Sequence, residues 1–172
     1  LLLAAGWAFF PHIAGYVDKA GKGIIVLVNK WDLAVEKDKA VYNDYIRSRL
    51  KFAPYAPILY ISAKTGEGTS KILPLVIQVR QERSMKIPKA EVNKLIKQAV
   101  EGHVRPRKGK TFLEVFSAEQ SGINPPTFLF MVNDTRLIHF SYECFLENRL
   151  REAYTFRGTP VRLVFKTRGG KP

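Results

Sequence analysis

Apolar and polar positions along the first half of the chain follow the order helix, strand, helix, strand, helix. The apolar runs at residues 24–28 and 58–61 are short, continuous and bounded by turn-forming residues, which is typical of strands covered on both faces. Helices are predicted at residues 12–19, from Asp38 to about Leu50, and from about Ser70 to Ser84. Strands that alternate with helices predict a parallel sheet of the α/β class. The apolar residues expected on one face of the second helix are Val41, Tyr45, Ile46 and Leu50.

The second half of the chain shows a different order of elements. The pattern predicts a helix up to Gly102, strands at 111–119 and 127–132, a helix starting near Ser141 and a strand at 161–165. This order describes a small α+β unit of roughly 80 residues. The residues expected on one face of its long helix are Tyr142, Phe145, Leu146, Leu150, Ala153 and Tyr154.

A linker divides the two halves. Residues 85–89 contain Pro88, which discourages the preceding helix from continuing. A chain of 172 residues can hold one large domain or two small ones. We therefore expect two domains, at residues 1–84 and 85–172.

Charge separates the halves as well. The chain carries 28 Lys and Arg against 15 Asp and Glu, a net charge of +13 with a pI near 10.0. Residues 83–172 hold 17 of the basic and 8 of the acidic groups. Such an excess predicts a polyanionic partner for the second half.

Cysteine usage and the apolar start narrow the class further. The single cysteine, Cys144, cannot form an internal disulfide, and no Cys/His cluster has the spacing of a zinc site. These features favour a reducing compartment, and we predict a cytoplasmic protein without a bound metal of its own. The apolar residues 1–10 are too short to span a bilayer and lack a basic leader, so we expect a chain that begins within a longer gene and does not enter the membrane.

Polar residues directly follow the first buried strand, in the run Asn29-Lys30-Trp31-Asp32. Ligands of open α/β sheets bind beyond the carboxyl ends of the strands, so this run stands where a base can rest. The Asp32 carboxylate can accept hydrogen bonds from N1–H and the 2-amino group of guanine, a donor pair that adenine lacks. Asn29 can use its amide on the base or on neighbouring loops, and the Lys30 stem can lie against the ring.

A second polar run, Ser62-Ala63-Lys64, follows the second strand about thirty residues later. A backbone N–H of this turn can meet guanine O6, and Lys64 can cover the other ring face. The alternative interpretation makes Lys30 and Lys64 solvated loop lysines and Asp32 a turn cap. Each short pattern arises by chance in many proteins, but the two together favour guanine recognition.

These two runs are accompanied by further stretches that carry a resemblance. They are Gly-Ile-Asn-Pro-Pro-Thr-Phe at 122–128, Val-Asn-Asp at 132–134, His-Phe-Ser-Tyr at 139–142 and Glu-Asn-Arg-Leu-Arg-Glu-Ala at 147–153. From about His12 to Arg168 the chain resembles the double-GTPase family called EngA or Der.

The resemblance implies a fold and a function. In that family two GTPase domains precede a domain similar to the KH fold, and the protein acts in assembly of the large ribosomal subunit. The implied fold is a partial P-loop GTPase-type parallel sheet with helices, followed by a small α+β KH-like domain. The implied ligand is GTP or GDP, with Mg²⁺ in the complete protein. By position, Asn29, Lys30 and Asp32 resemble the family's guanine-reading motif, and Ser62, Ala63 and Lys64 its last motif.

The phosphate-binding half of a GTPase site is missing from this sequence. No Gly-x-x-x-x-Gly-Lys-Ser/Thr loop occurs, and no Thr and Asp stand at the places that hold Mg²⁺. We therefore assign no catalytic residue and no metal ligand. We predict that this chain alone neither binds GTP tightly nor hydrolyses it.

Basic residues of the second half are the candidates for contact with ribosomal RNA. A KH domain usually grips the RNA backbone with a Gly-x-x-Gly loop between helices, and this sequence has no such loop. The alternative is an ordinary solvated basic face. The candidate residues are Arg105, Arg107, Lys108, Lys110, Arg162, Lys166, Arg168 and Lys171.

Two hypotheses from different classes follow. The first is a GTP-binding factor of large-subunit assembly, present here without its phosphate loop and switches. The second is a non-enzymatic RNA-binding or interaction module in which the half GTPase domain is only a packing platform.

The remaining His and aromatic residues are predicted to be structural. We expect His103 and His139 to be loop and cap residues, and Tyr142, Phe145 and Tyr154 to be part of the core.

Overall fold

The computed structural model describes residues 2–3, 10–35 and 37–168, which divide into two compact units. The first unit comprises residues 1–83 together with 156–160, and the second comprises 84–155 and 161–172. The helices are α1 (Phe10–Lys19), α2 (Lys39–Arg49), α3 (Ile72–Ser84), α4 (Lys89–Glu101) and α5 (Phe140–Tyr154). The strands are β1 (Leu2–Leu3), β2 (Val26–Val28), β3 (Ile58–Tyr60), β4 (Arg107–Lys108), β5 (Thr111–Phe112), β6 (Val115–Gly122), β7 (Thr127–Val132) and β8 (Arg162–Thr167).

The first unit contains a parallel sheet in the order β1-β2-β3. The parallel pair β2–β3 is confirmed, whereas the strand pattern did not predict β1. The strand β2 is shorter than the predicted run at 24–28, because Ile24 donates its N–H to the Gly158 carbonyl rather than to a neighbouring strand (2.8 Å). The core of this unit is formed by Ala14, Ile24, Val26, Ile46, Leu50, Ala53 and Ala56.

The helix α2 begins and ends close to the predicted residues. Asp38 caps it by accepting a hydrogen bond from the Ala40 N–H (2.8 Å). The predicted shared face is wrong in part, because Ile46 is buried while Val41 and Tyr45 are exposed. A helix turns by about 100° per residue, so Val41 and Tyr45 lie on a stripe rotated away from the buried line of Ile46 and Leu50.

The second unit contains a three-stranded sheet in the order β6-β7-β8, antiparallel between β6 and β7 and parallel between β7 and β8. The central strand buries Phe128, Phe130 and Val132 at alternate positions, as a strand with one covered face requires. The helix α5 buries Tyr142, Leu146 and Leu150 in the core of this unit, while the predicted face is wrong at Ala153, which is exposed.

The predicted strand at 111–119 is two strands. The Leu113 N–H donates to the Pro106 carbonyl (2.7 Å) and the Glu114 N–H donates to Asn133 Oδ1 (3.0 Å), so the chain leaves the ladder between β5 and β6. The preceding basic residues form the small hairpin β4–β5, which turns at Gly109 with a φ of 61°. Glycine suits this left-handed conformation because it has no Cβ.

Residues 156–160 follow α5 in sequence but belong to the first unit. The chain enters this segment through left-handed backbone at Thr155 and Phe156. Besides accepting from Ile24, Gly158 donates its N–H to the Tyr55 carbonyl (2.9 Å), and Arg83 donates to Thr159 Oγ1 (3.1 Å). The start of β2 is therefore held by residues more than 130 positions later in the chain.

Candidate functional site

Asn29 joins the two predicted guanine-reading runs. Its Oδ1 accepts hydrogen bonds from the backbone N–H groups of Lys30 (2.8 Å) and Ala63 (3.0 Å). The Trp31 N–H donates to the Ile61 carbonyl across the same gap (3.0 Å). Because β2 and β3 are parallel neighbours, their carboxyl ends meet at one edge of the sheet. The structure thus brings together the two runs that the sequence separates by about thirty residues.

Asp32 lies in a short 3-10 turn, Trp31–Leu33, beside the second run. The pKa of Asp32 is lowered, chiefly by a hydrogen bond from the Ser62 side chain, with the positive charges of Lys64 and Lys37 acting in the same direction. Ser62 is fully buried. A buried neutral hydroxyl therefore orients an ionised carboxylate at the edge of the sheet, where it can accept N–H donors.

The turn after β3 is fixed by its own hydrogen bonds. The Ser62 N–H donates to the Glu67 carbonyl (2.9 Å), and the Gly66 N–H donates to the Ser62 carbonyl (2.9 Å). Ser62 Oγ also accepts from the Thr65 N–H (3.2 Å). These bonds hold the intervening residues, Ala63 and Lys64, in one backbone conformation beside Asn29.

Trp31 anchors the first polar run by packing its side chain into the first unit, a role that the sequence reasoning did not assign. Its side chain is buried, and its ring lies 4.4 Å from that of Tyr60 and 5.1 Å from that of Tyr42, centroid to centroid. The Tyr60 hydroxyl donates to Asn43 Oδ1 (2.9 Å), and burial raises the pKa of Tyr60. A large aromatic residue inside a polar run was the available signal, since such a residue seldom stays in water.

Free donors and acceptors at this edge define what the site can bind. The Ala63 N–H, one candidate for contact with guanine O6, is already bonded to Asn29. Within the part of the chain that the structure describes, neither Asn29 Nδ2 nor the Lys64 N–H has a protein acceptor. The edge thus offers the Asp32 carboxylate as acceptor and these two groups as donors, with Lys30 in a left-handed conformation (φ 63°) between them.

The predicted RNA-binding residues fall into two groups in the second unit. Four occupy the segment 105–110, which includes the β4–β5 hairpin. Arg162 and Lys166 lie on β8, opposite Thr127 and Met131, on the face that does not carry Phe128 and Phe130. Arg168 follows β8, and Lys171 lies outside the described residues. The seven described side chains are all exposed: Arg105, Arg107, Lys108, Lys110, Arg162, Lys166 and Arg168.

Two phenylalanines accompany these cations, and the sequence reasoning did not single them out. The guanidinium of Arg107 lies 5.9 Å from the centroid of the Phe112 ring, and that of Arg168 lies 5.3 Å from the centroid of the Phe116 ring. Both rings are exposed. The two phenylalanines that directly follow the basic run at 105–110 were the signal that could have indicated them.

Residues 2–3, 10–35 and 37–168 contain no group of three or more His, Cys, Asp and Glu placed to hold a metal ion. No helix among them is long and apolar enough to cross a bilayer. His139 stands at the N-cap of α5, and His103 lies in the loop after α4, where its ring stacks on Phe145 with 3.8 Å between centroids.

A parallel α/β sheet of GTPase type and a KH-like α+β unit are the two parts of this fold, and comparison with known proteins agrees. The model of the KH-domain-like region of EngA bacterial GTPase enzymes, C-terminal, matches residues 86–166. The chain is 45% identical over 153 residues to GTPase Der of Brevibacillus brevis, a match covering 88% of this chain and 35% of that protein. It is 44% identical over 161 residues to GTPase Der of Listeria monocytogenes, covering 91% and 36%.

The chain belongs to the EngA/Der family of GTPases and corresponds to the C-terminal part of its members. A third relative, GTPase Der of Desulfitobacterium hafniense, is 45% identical over 157 residues, again 90% of this chain and 35% of that protein. The chain therefore spans about a third of the length of the curated relatives it matches.

Proposed function

We propose that the first unit supplies the guanine-reading half of a GTP-binding site. The observation that carries this proposal is the hydrogen bond from the Ala63 N–H to Asn29 Oδ1, which ties the two strand-end runs together. Asp32 lies beside the second run, where the Ser62 hydroxyl lowers the pKa of its carboxyl. Each run alone is a weak signal, but side chains that hold one another at a sheet edge form a rigid receptor for a flat base. Asp32 faces N1–H and the 2-amino group, and Asn29 Nδ2 donates to an acceptor of the base.

The phosphates and Mg²⁺ are bound elsewhere in this proposal. The sequence of this chain contains no phosphate loop, so GTP or GDP binds tightly only where that loop is also present. We assign no catalytic residue to this chain, and we expect no hydrolysis of GTP by the chain alone. Its own contribution is the choice of guanine over adenine.

Saturation-transfer NMR on the chain, with GDP and ADP at millimolar concentration, tests base selection directly. We expect transfer to the guanine H8 and little to the adenine ring. Asp32→Asn should abolish the preference for GDP and favour xanthosine diphosphate, because the C2 carbonyl of xanthine accepts from the new amide. Asp38→Asn is the matched control, since it makes the same chemical change at the cap of α2 and keeps a capping residue. Equal transfer to GDP and ADP in the unaltered chain would contradict the proposal.

The second unit, in the same proposal, contacts ribosomal RNA during assembly of the large ribosomal subunit in the cytoplasm. The support is the exposed basic residues of the 105–110 segment and of β8 in a chain with a net charge of +13. The side chains of Arg107, Lys110 and Arg168 form no salt bridge with the described acidic residues. Cations that are not neutralised internally are available to phosphates.

Retention of labelled ribosomal RNA on nitrocellulose over a series of salt concentrations tests this contact. We expect log affinity to fall linearly with log salt concentration. Lys108→Gln and Lys110→Gln should each reduce the slope by about 1, because each phosphate contact releases about one counterion. Lys51→Gln, at an exposed lysine of the first unit, is the charge-matched control. Retention that does not depend on salt would remove the electrostatic contact.

A second candidate function is a non-enzymatic RNA-binding or interaction module whose first unit only packs. The absence of a phosphate loop from the sequence favours it. Base selection separates the two candidates: Asp32→Asn changes nucleotide preference under the first and leaves every binding property unchanged under the second.

A further inference from the structure

Two exposed phenylalanines of the second unit each carry an arginine over the ring. Phe112 is 49% exposed and Phe116 is 43% exposed, even with the guanidinium groups of Arg107 and Arg168 in place. An exposed aromatic ring costs free energy in water, and a surface that retains two of them beside cations resembles a binding surface rather than a solvated one.

The local backbone explains why both rings face outward. Phe112 pairs with Arg107 across the β4–β5 hairpin, so the two side chains lie on the same side of that ribbon. Phe116 lies at a register shift of β6, because Val115 pairs with Val132 and Ser117 pairs with the next residue of β7, Met131. Such a bulge redirects a side chain that strict alternation would place elsewhere. Four positions separate the two rings, so their Cα atoms are at most about 14 Å apart.

A groove continues from Phe116 along α4 and β6. Its volume is about 630 Å³, and its lining includes Phe116 and Leu113, the acidic residues Glu101 and Glu114, and the basic residues Lys97 and Arg105. Carboxylates repel phosphates but accept hydrogen bonds from the amino groups of bases. The cations therefore mark the path of a backbone along the hairpin, and the groove beside Phe116 suits bases.

We propose that Phe112 and Phe116 stack unpaired bases of single-stranded RNA, while Arg107 and Arg168 contact the adjoining phosphates. This inference rests on the proposed contact with RNA and specifies its class. Bases within a duplex are stacked on one another and cannot reach a protein ring, whereas unpaired bases can stack on Phe and on guanidinium planes. Recognition by stacking needs no Gly-x-x-Gly loop, which this sequence lacks.

Fluorescence anisotropy of the full chain with a labelled single-stranded RNA and with a hairpin duplex of the same composition tests the proposal. Phe112→Leu and Phe116→Leu should each weaken binding of the single strand by about 5- to 100-fold without changing the salt slope. Binding of the duplex should not change. Arg168→Gln should instead lower the slope for the single strand.

Phe140→Leu is the matched control, because Phe140 is an 80% exposed phenylalanine of the same unit that belongs to neither arginine–phenylalanine pair. Circular dichroism establishes that each variant is folded. If the two Phe variants bind single strands as the unaltered chain does while Lys108→Gln and Lys110→Gln weaken binding, stacking is wrong and the RNA contact stands. If the unaltered chain binds neither RNA, both the stacking and the contact are wrong.

Discussion

Each unit contains an asparagine at the end of a strand that binds a neighbouring loop. Asn133 in the second unit uses both the oxygen and the nitrogen of its side-chain amide, whereas Asn29 in the first unit uses only the oxygen toward the residues that the structure describes. Asn133, after β7, accepts from the N–H groups of Glu114 (3.0 Å) and Asp134 (2.9 Å) and donates from Nδ2 to the Phe112 carbonyl (2.7 Å). Asn29, after β2, accepts from two N–H groups in the same way, but its Nδ2 has no acceptor among the described residues. A structural asparagine satisfies its donors internally, whereas one that serves a ligand keeps a donor available.

Each of these asparagines is followed by an aspartate, Asp32 and Asp134, and the two aspartates differ in what lowers the pKa of the carboxyl. The pKa of Asp32 is lowered chiefly by the neutral hydroxyl of Ser62, which is buried. The pKa of Asp134 is lowered chiefly by hydrogen bonds from Arg136, a cation whose side chain is mostly exposed. The first arrangement fixes an acceptor without neutralising it, so its charge remains available to a ligand. The second neutralises the carboxylate and closes a turn.

Removal of the two amides gives the largest expected effect. Asn133→Ala loses three hydrogen bonds and should lower the free energy of unfolding by about 3 kcal/mol, against about 2 kcal/mol for Asn29→Ala, since each bond contributes about 1 kcal/mol. Urea denaturation followed by circular dichroism measures both. Tryptophan fluorescence assigns the Asn29 effect to the first unit, because Trp31 belongs to that unit and the second unit contains no tryptophan in its sequence. A larger loss for Asn29→Ala would reverse the comparison.

Exchange of each amide for a carboxylate isolates the Nδ2 donor. Asn133→Asp keeps the acceptor but loses the bond to the Phe112 carbonyl, so we expect a loss of about 1 to 2 kcal/mol of stability. Asn29→Asp keeps both internal bonds and should change stability by less, while saturation transfer to GDP should fall by at least about threefold. An unchanged GDP signal in a folded Asn29→Asp chain would show that this donor does not serve the nucleotide.

Removal of a tyrosine hydroxyl should change stability in opposite directions in the two units. The Tyr142 hydroxyl is buried without a hydrogen-bond partner among the described residues, so Tyr142→Phe should be neutral or stabilise by about 1 kcal/mol. The Tyr60 hydroxyl donates to Asn43, so Tyr60→Phe should destabilise by about 1 kcal/mol. Melting temperatures of both variants provide the measurement. A destabilised Tyr142→Phe chain would mean that the hydroxyl has a partner in solution.

The smallest effect concerns the two aspartates in salt. High ionic strength should raise the pKa of Asp134 toward its ordinary value of 3.8 more than that of Asp32, because an exposed cation is screened and a neutral hydroxyl is not. Carboxyl NMR titration measures both groups. Each folded-state pKa is lowered, so the stability they contribute is present above pH 3.8 and lost as pH falls through the folded pKa. Ser62→Ala should raise the pKa of Asp32 toward its ordinary value, so that less stability is lost as the pH falls.

Sequence reasoning predicted correctly that the two polar runs meet at one edge of the sheet, because their positions obey a local rule. Asn29 to Asp32 and Ser62 to Lys64 each follow an apolar strand, and parallel strands bring their ends to one edge whatever the intervening chain does. The hydrogen bond between Asn29 and Ala63, by contrast, depends on side-chain directions that no spacing fixes.

Other features depended on contacts between distant residues. The break between β5 and β6 follows from hydrogen bonds to Pro106 and Asn133, neither of which the strand pattern reveals. The exposure of Phe116 follows from a bulge in β6. The prediction that Val41 and Tyr45 share a face with Ile46 and Leu50 was wrong in part, because the sequence shows an apolar stripe but not which side of the helix becomes buried.

The segment at 156–160 makes the first unit discontinuous in sequence. A polypeptide cut at the linker after α3 would keep the loops at 29–32 and 62–64 but lose the acceptor for the Ile24 N–H and the glycine that packs against Val79. A larger residue would not fit there, since a Cβ on Gly158 would clash with Val79 Cγ2 and the backbone has a φ of 72°. Truncation at the linker removes residues 156–160, which are part of the first unit. Expression of that unit by itself therefore requires a circular permutation or a fusion that adds these five residues back.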